Sequence, residues 1–154
     1  MTPTYTQNMG SVNKKLYDLI GGRATLDRVQ KIFYDKVYAH PWMRQYFKHK
    51  PQEILEKQQS DFMSSIMGGP RIYAGRTPKL AHQHMNVSEE LFELRRIMLS
   101  NSIREAGVSD ELRDQWLAAD GKLKGSIVKA SVAECRRAFH TQEILDFPKP
   151  RNVA

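Results

Sequence analysis

Apolar residues recur along most of the chain at intervals of three and four positions, the spacing that places them on one face of an α-helix. This pattern predicts four substantial helices, which begin near Thr25, Pro51, Ser88 and Ser109. Their inward-facing positions are Leu26, Val29, Phe33 and Val37; Leu55, Phe62 and Ile66; Leu91, Leu94 and Met98; and Leu112, Trp116, Ala119, Leu123 and Ile127. We find no strand alternation and no internal repeat, so we expect an all-α fold.

Glycine and proline mark the ends of these helices. A short apolar turn stops at Gly21-Gly22, the first long helix ends near His40-Pro41, and the second stops at Gly68-Gly69-Pro70. The residue before a proline is pushed out of the helical region, and a Gly-Gly-Pro run breaks a helix. Residues 71–86 therefore form a loop-rich centre with only a short helix, over about 78–84.

The C-terminal part of the chain is its most basic region. The net charge is +7, which favours anionic partners in general, and the largest excess of Lys and Arg follows Gly121. Acidic residues interrupt the basic ones elsewhere, so we interpret the charge as a solvated face with a basic tail and do not expect nucleic acid as a partner. Helical spacing continues through Val132 and Phe139 until Pro148, which predicts an extended C-terminal helix or tail.

Length and composition indicate the class of protein. The sequence has 154 residues, 40% of them hydrophobic, which is enough for one domain whose core is stable without disulfide bonds or a structural metal ion. Cys135 is the single cysteine, which excludes an internal disulfide framework and a multi-cysteine zinc site. No apolar run approaches the roughly 18–20 residues of a membrane span. The first residues lack the charged segment followed by an apolar segment that is typical of a secretory signal peptide. We therefore expect a cytoplasmic protein with no membrane partner.

Two polar residues interrupt the apolar stripes. Gln59 lies between Leu55 and Phe62 on one helix face, and Arg95 has only apolar residues three and four positions away. A buried amide needs a hydrogen-bond partner, and a buried guanidinium needs an anion or a path to water. Each residue can therefore belong to a functional site, or it can have a purely structural role. In the structural role the Gln59 amide bonds to a backbone carbonyl, and the Arg95 side chain extends along the protein surface until its guanidinium reaches solvent.

Among the five histidines, His82 and His84 lie on the short central helix. Residues two apart on a helix point about 200° apart, so one imidazole faces inward and the other outward. The inward one is either a hydrogen-bonded core histidine or a single axial ligand of haem iron. The sequence contains no HExxH, CxxC, GxSxG or phosphate-binding glycine loop.

Several short motifs occur in an order and at a spacing that are jointly specific. They are Leu16-Tyr17-Asp18-Leu19-Ile20-Gly21-Gly22, Phe33-Tyr34, Tyr46-Phe47, Lys57-Gln58-Gln59, Gly68-Gly69-Pro70, Tyr73-Ala74-Gly75-Arg76 and Ala81-His82-Gln83-His84-Met85. With them the chain resembles the truncated haemoglobins of group I, over about Lys15 to Val128. The resemblance implies a two-over-two helical sandwich around haem b, with a flexible arm over 1–12, a globin domain over 13–131 and a basic C-terminal extension over 132–154.

The resemblance also implies roles for single residues. His82 matches the proximal iron ligand, and His84 points away or toward a haem propionate. Tyr34 matches a distal hydroxyl that donates a hydrogen bond to the gas ligand, and Gln59 matches a distal amide beside it. The other implied haem contacts are Phe33, Phe47, which stacks on the haem, Leu55 near the ligand, and Tyr73 and Arg76 in the loop that contacts the propionates.

Arg95 departs from the family pattern. Without a gap it lies where the family places a valine or a tryptophan on the distal side, and a one-residue shift puts Leu94 there instead. In the first register a cation lies near the ligand, where it can bond a propionate, stabilise a bound anion or help to polarise peroxide. We therefore count Arg95 with Tyr34 and Gln59 as a candidate catalytic residue.

These roles lead to a functional hypothesis. Two distal donors predict tight binding and slow release of O2, with NO and CO as further ligands. The leading function is conversion of nitric oxide to nitrate. This reaction needs a reductase that donates electrons. The alternatives are peroxide or nitrite chemistry, a haem-based gas sensor that acts through a partner, and a haem-free helical interaction protein. We expect a monomer or a weak dimer.

Overall fold

The computed structural model describes residues 14–153, and over them the chain is helical. The helices are α1 (Leu16–Ile20), α2 (Gly22–Ala39), α3 (Gln52–Ile66), α4 (Pro78–His82), α5 (Glu89–Glu105), α6 (Asp110–Gly121) and α7 (Lys124–Ile127), with 3-10 turns at Met43–Phe47 and Val132–Glu134. Within that stretch the chain forms two isolated β-bridges and no strand. The predicted all-α class is confirmed. The predicted arm over 1–12 lies outside the described residues.

A left-handed turn joins the first two helices. Gly21 has a φ of +106° and ends α1, and Gly22, with a φ of +70°, starts α2 three residues before the predicted position. A side chain is strained at such positive φ values, and a Cβ on Gly21 would lie 2.6 Å from Oγ1 of Thr25. The glycine pair therefore lets α2 begin immediately after α1.

The four long helices pack in two layers. α2 packs on α3 and crosses α5, and α5 packs on α6, which gives the expected two-over-two sandwich. Ser88 and Ser109 begin α5 and α6 as predicted, because their hydroxyls accept hydrogen bonds from the backbone N–H groups of Leu91 and Leu112. The most deeply buried apolar side chains are Leu26, Val29, Val37, Met63, Ile103 and Trp116.

The prediction of a helix continuing through Val132 and Phe139 is wrong. α6 ends at Gly121, α7 has only four residues, and the chain beyond it contains a single 3-10 turn. Val132 and Phe139 are exposed, so their helical spacing marks no buried stripe. The backbone of this segment bonds instead to the loop after α4, through parallel bridges that pair Val128 with Val87 and Leu145 with Met85.

None of the helices within residues 14–153 has both the length and the apolar character required to cross a bilayer.

Candidate functional site

A cavity of about 460 Å³ lies in the core between the two helical layers. It is within the usual size range of cofactor and ligand sites. Nine of the ten predicted site residues line it: Phe33 and Tyr34 from α2, Phe47 from the 3-10 turn, Leu55 and Gln59 from α3, Tyr73 and Arg76 from the loop, His82 from α4 and Arg95 from α5. The remaining one, His84, does not.

His82 is the last residue of α4, and its ring is oriented by its own helix. Nδ1 lies 2.7 Å from the backbone carbonyl of Pro78 one turn earlier. That contact makes Nδ1 the protonated nitrogen and leaves the lone pair of Nε2 available to a metal. Burial lowers the pKa of His82 to about 4, so the imidazole is neutral at neutral pH.

The donor set in this cavity suits haem. No group of three or more His, Cys, Asp or Glu residues gathers anywhere within 14–153, so the described part of the chain offers a metal no multi-ligand protein site. A metal held here through His82 must bring most of its own ligands, as the iron of a porphyrin does. The apolar walls suit the porphyrin faces, and Lys50 and Arg76, which also line the cavity, suit its carboxylates.

Tyr34 presents a buried hydroxyl at the wall of the same cavity. It packs edge-on against Phe33 and Phe47, with ring centroids 5.0 and 6.2 Å apart, which fixes the plane of its ring. Burial raises the pKa of Tyr34 to about 12, so the hydroxyl keeps its proton. The hydroxyl has no hydrogen-bond partner among residues 14–153, and it is therefore available as a donor to a ligand.

Gln59 lies on α3, one turn after Leu55, and both residues line the cavity. The side chain of Gln59 is partly buried, and it forms no hydrogen bond with the part of the chain that the structure describes. The alternative of a glutamine bonded to a backbone carbonyl is therefore not observed. Gln58 also lines the cavity, so two neighbouring amides lie on this wall.

Arg95 lines the cavity as expected, but its charge is already paired. Its two terminal nitrogens donate hydrogen bonds of 2.8 Å each to the two carboxylate oxygens of Asp120 on α6. Burial alone opposes the charge on Arg95, and Asp120 more than offsets this effect, so the pKa of the guanidinium is raised. The alternative of an arginine that reaches solvent is not observed, and the positive charge of Arg95 at the cavity wall is neutralised by Asp120.

The loop between α3 and α4 covers one side of the cavity. The Tyr73 hydroxyl donates a 2.6 Å hydrogen bond to the carbonyl of Arg76, and its ring packs edge-on against Phe62 at 5.1 Å. Gly75 lies under this ring, and a Cβ there would come within 2.4 Å of the hydroxyl oxygen. The glycine thus permits the close approach that holds Tyr73 against the cavity.

The prediction that one histidine of the pair faces outward is wrong. α4 ends at His82, so the 200° rule for a helix does not apply to the pair, and His84 is buried at 6% exposure. Its carbonyl accepts a hydrogen bond from the N–H of Leu145, and its Nδ1 has no partner among the described residues. Burial lowers the pKa of His84, and the nearby charge of Arg76 lowers it further. Both histidines are thus removed from bulk solvent, and His84 does not line the cavity. The alternative that His84 is directed toward a haem propionate stays a prediction.

Among the residues for which the sequence predicted no role at the site, Gln58, Lys50 and Met85 line the cavity and Asp120 pairs with Arg95. Asp120 had a detectable sign, because it lies four residues after Trp116 on the apolar stripe of α6, where a carboxylate needs a cation. Lys50 and Met85 lie outside the helices, where periodicity carries no information, and Gln58 is an exposed residue of α3 beside its apolar stripe.

Comparison with known proteins agrees with this geometry. Residues 15–129 match the family model described as Bacterial-like globin. The chain is 34% identical over 97 residues to the Group 1 truncated hemoglobin of Tetrahymena thermophila, covering 63% of this chain and 80% of the relative. It is 30% identical over 112 residues to a Group 1 truncated hemoglobin of Mycolicibacterium paratuberculosis, covering 73% and 82%.

Solved structures show the same fold. The crystal structure of truncated hemoglobin from Tetrahymena pyriformis in its Fe(III) form aligns with a TM-score of 0.71 and 26% identity, over 75% of this chain and 98% of that one. The 2/2 hemoglobin from Synechococcus, a structure with covalently attached heme, aligns with a TM-score of 0.69 and 26% identity over the same shares. The predicted family is confirmed: this chain belongs to the bacterial-like globins as a truncated haemoglobin, with haem b as its cofactor.

Proposed function

We propose that this truncated haemoglobin holds haem b through His82, binds O2 with high affinity and uses it to convert nitric oxide to nitrate. Haem b, when bound, supplies the iron to which diatomic gases such as O2, NO and CO bind. One observation carries the proposal. The protonated, unpaired hydroxyl of Tyr34 lies on the wall of the cavity that His82 also lines.

His82 contributes a neutral, oriented imidazole. The hydrogen bond from Nδ1–H to the Pro78 carbonyl increases the electron density at Nε2 and fixes the angle of the ring. An electron-rich Nε2 that held haem iron would favour transfer of negative charge toward a bound oxygen molecule. His82 would therefore increase the negative charge on a bound oxygen molecule, which the distal donors would stabilise.

Tyr34 and Gln59 supply those donors. A hydrogen bond to a group that carries charge contributes about 1.5–3 kcal/mol, and both donors are on rigid helices. Since about 1.4 kcal/mol is tenfold, two such bonds slow O2 release by about a hundredfold or more. Slow release suits a site that keeps O2 until a second reactant arrives, and it does not suit an oxygen carrier.

The reaction consumes one electron. Nitric oxide and O2 together contain the one nitrogen and three oxygen atoms of nitrate, and one electron gives the product its negative charge. Haem b held by His82 would supply that electron from its iron. A partner that donates electrons, a reductase, must therefore restore the ferrous state before the next turnover.

Peroxide or nitrite chemistry is a second candidate, because Arg95 lies on the cavity wall. A distal arginine assists peroxide cleavage by aiming its charge at the reacting oxygen atoms. Here the two terminal nitrogens of Arg95 already donate to Asp120, and the carboxylate cancels the charge. This geometry supports nitric oxide conversion better than peroxide chemistry.

The test mixes the ferrous protein, equilibrated with O2, with nitric oxide in a stopped-flow instrument. The proposal predicts fast oxidation to the ferric state with one nitrate formed per haem. Oxidation without nitrate, or displacement of O2 by nitric oxide with the iron still ferrous, contradicts it. The second of these outcomes favours a gas sensor. Peroxide-driven substrate oxidation, measured in parallel, tests the second candidate.

A further inference from the structure

The segment that carries the proposed iron ligand bonds to a part of the chain beyond the globin match. We call residues 129–147 the C-terminal strap and residues 82–87 the proximal segment. The family match ends at residue 129, so nearly all of the C-terminal strap lies outside it. Its contacts are therefore a feature of this chain that the family assignment does not explain.

Backbone hydrogen bonds join the two segments along their length. They are Lys129 N to Val87 O (2.9 Å), Arg136 N to Gln83 O (2.7 Å), Leu145 N to His84 O (2.8 Å) and Asn86 N to Leu145 O (2.8 Å). Four of the polar backbone groups of the proximal segment thus have a partner in the C-terminal strap. Buried backbone groups require such partners, which favours one fixed arrangement of the segment.

Lys129 reaches the carbonyl of the proposed ligand itself. Its ammonium donates to His82 O at 2.8 Å and to Ile127 O at 3.1 Å. The His82 carbonyl is at the C-terminal end of α4, where a cation is favourable, and it also accepts a hydrogen bond from the N–H of Met85 at 2.9 Å. Lys129 is half-buried, so this contact is less screened than one on an open surface.

The C-terminal strap is fixed to the core at its far end. The indole N–H of Trp42 donates to the Phe147 carbonyl at 2.9 Å, and Phe147 N–H donates to the Tyr46 hydroxyl at 3.1 Å. The rings of Tyr46 and Phe147 pack edge-on at 5.1 Å, and Trp42 and Tyr46 are both 4% exposed. Movement of the proximal segment therefore requires displacement of a strap that is itself attached to buried side chains.

Helix α4 needs this support because it is too short to be stable alone. It has five residues, and isolated helices shorter than about 12–15 residues are marginal in water. The helix that α4 packs against is α7, which leads directly into the C-terminal strap. The ring of His82 is oriented by the carbonyl of Pro78 within α4, and the position of α4 itself depends on its packing against α7.

We infer that the C-terminal strap is a positioning element of the haem site, which holds the backbone of His82 through Lys129 and the backbone ladder to residues 83–87. This inference rests on the proposed function in one respect, the role of His82 as the iron ligand. It predicts that loosening the C-terminal strap weakens haem retention without a change at any cavity-lining side chain.

The test compares two variants of Lys129 with a matched control. Lys129→Met keeps the aliphatic stem and removes the donor, and Lys129→Arg restores a donor. Lys149→Met removes a lysine from the same end of the chain that pairs with Glu90 at 2.6 Å and does not contact the proximal segment. We expect haem transfer to an excess of apomyoglobin to be about tenfold faster in Lys129→Met, a change of about 1.4 kcal/mol. Lys129→Arg and Lys149→Met stay close to wild type.

A second measurement keeps the test independent of haem. Phe147→Ala removes the ring that packs on Tyr46, and Trp42→Phe removes the indole donor to the Phe147 carbonyl, so the double variant loosens the C-terminal strap at its far end. Hydrogen exchange is then compared with wild type at the amide of Asn86 and at that of Ile103, a fully buried residue of α5 that reports global unfolding. A larger acceleration at Asn86 than at Ile103 supports the inference. Equal acceleration at both positions, or an unchanged haem loss rate in Lys129→Met, overturns it. A wild-type protein without a haem spectrum contradicts the proposed function, and the exchange experiment still decides the inference.

Discussion

The guanidinium of Arg95 and the carboxylate of Asp120 form a two-point ion pair across the α5–α6 layer, with both hydrogen bonds at 2.8 Å. Asp120 is 1% exposed, and the Arg95 guanidinium also lies 5.3 Å from the ring centre of Phe92 and 6.0 Å from that of Phe33. The pair therefore connects the wall of the haem cavity to the end of α6. It gives the charge of Arg95 a partner within the apolar surroundings of α5.

The first prediction concerns the stability of this pair. Asp120→Asn keeps the shape but leaves a buried guanidinium without its counter-ion, so we expect it to lower the free energy of unfolding by about 3–5 kcal/mol. The double variant Arg95→Met with Asp120→Leu removes both charges and recovers most of that loss. Chemical denaturation of the two variants measures the difference.

Asp27→Asn is the control for this prediction, because Asp27 pairs with Arg23 but its side chain is 56% exposed. Exposed pairs contribute about 0–1 kcal/mol, so this variant stays near wild type. A double Arg95 and Asp120 variant that is less stable than Asp120→Asn argues against the unpaired charge as the cause.

Tyr34→Phe tests the distal donor. The variant keeps the ring packing and removes the hydroxyl, so we expect O2 release at least about tenfold faster, since a charge-assisted hydrogen bond contributes about 1.5–3 kcal/mol. Stopped-flow displacement of O2 by CO gives the rate. Tyr38→Phe is the matched control, because the Tyr38 hydroxyl donates to the carbonyl of Lys50 at 2.7 Å and does not line the cavity. Equal rates in wild type and Tyr34→Phe exclude Tyr34 as a donor.

Tyr34 also predicts a pH dependence of stability. Burial raises its pKa from 10.0 to about 12. Between these values the unfolded chain has lost a proton that the folded chain keeps, so stability falls as the pH rises. The contribution is complete below pH 10.0 and is lost through pH 12, and two pKa units correspond to about 2–3 kcal/mol.

The measurement is the difference in unfolding free energy between wild type and Tyr34→Phe on both sides of that window. The comparison cancels the titration of lysines and of the other tyrosines. As the pH rises through this window, we expect the unfolding free energy of wild type to fall relative to that of Tyr34→Phe. A constant difference means that the hydroxyl of Tyr34 titrates as in the unfolded chain.

Periodicity and capping predicted the helical layers well, because each long helix buries one apolar face and begins at a residue suited to that position. Ser88 and Ser109 are examples, since both form the expected caps. The C-terminal region shows where such patterns fail. Val132 and Phe139 have helical spacing, yet the backbone beyond Ile127 forms hydrogen bonds with residues 83–87. Backbone pairing between segments so far apart in sequence produces no periodic pattern of apolar residues.

Positions at the site could be predicted from the sequence where a residue lines the cavity without depending on a distant partner. Tyr34, Gln59 and His82 line the cavity that the sequence motifs implied. The arrangement around Arg95 was not predicted, because its charge state depends on Asp120, 25 residues later on another helix. The prediction of an outward-facing histidine failed at His84, because it assumes a helix that in fact ends at His82.

The most direct test of the account is the iron–histidine stretching band in the resonance Raman spectrum of the ferrous protein without a gas ligand. The account predicts that wild-type protein shows this band, that His84→Ala retains it and that His82→Ala loses it together with firmly held haem. A band that survives in His82→Ala, or that disappears in His84→Ala alone, contradicts the assignment of His82 as the axial ligand.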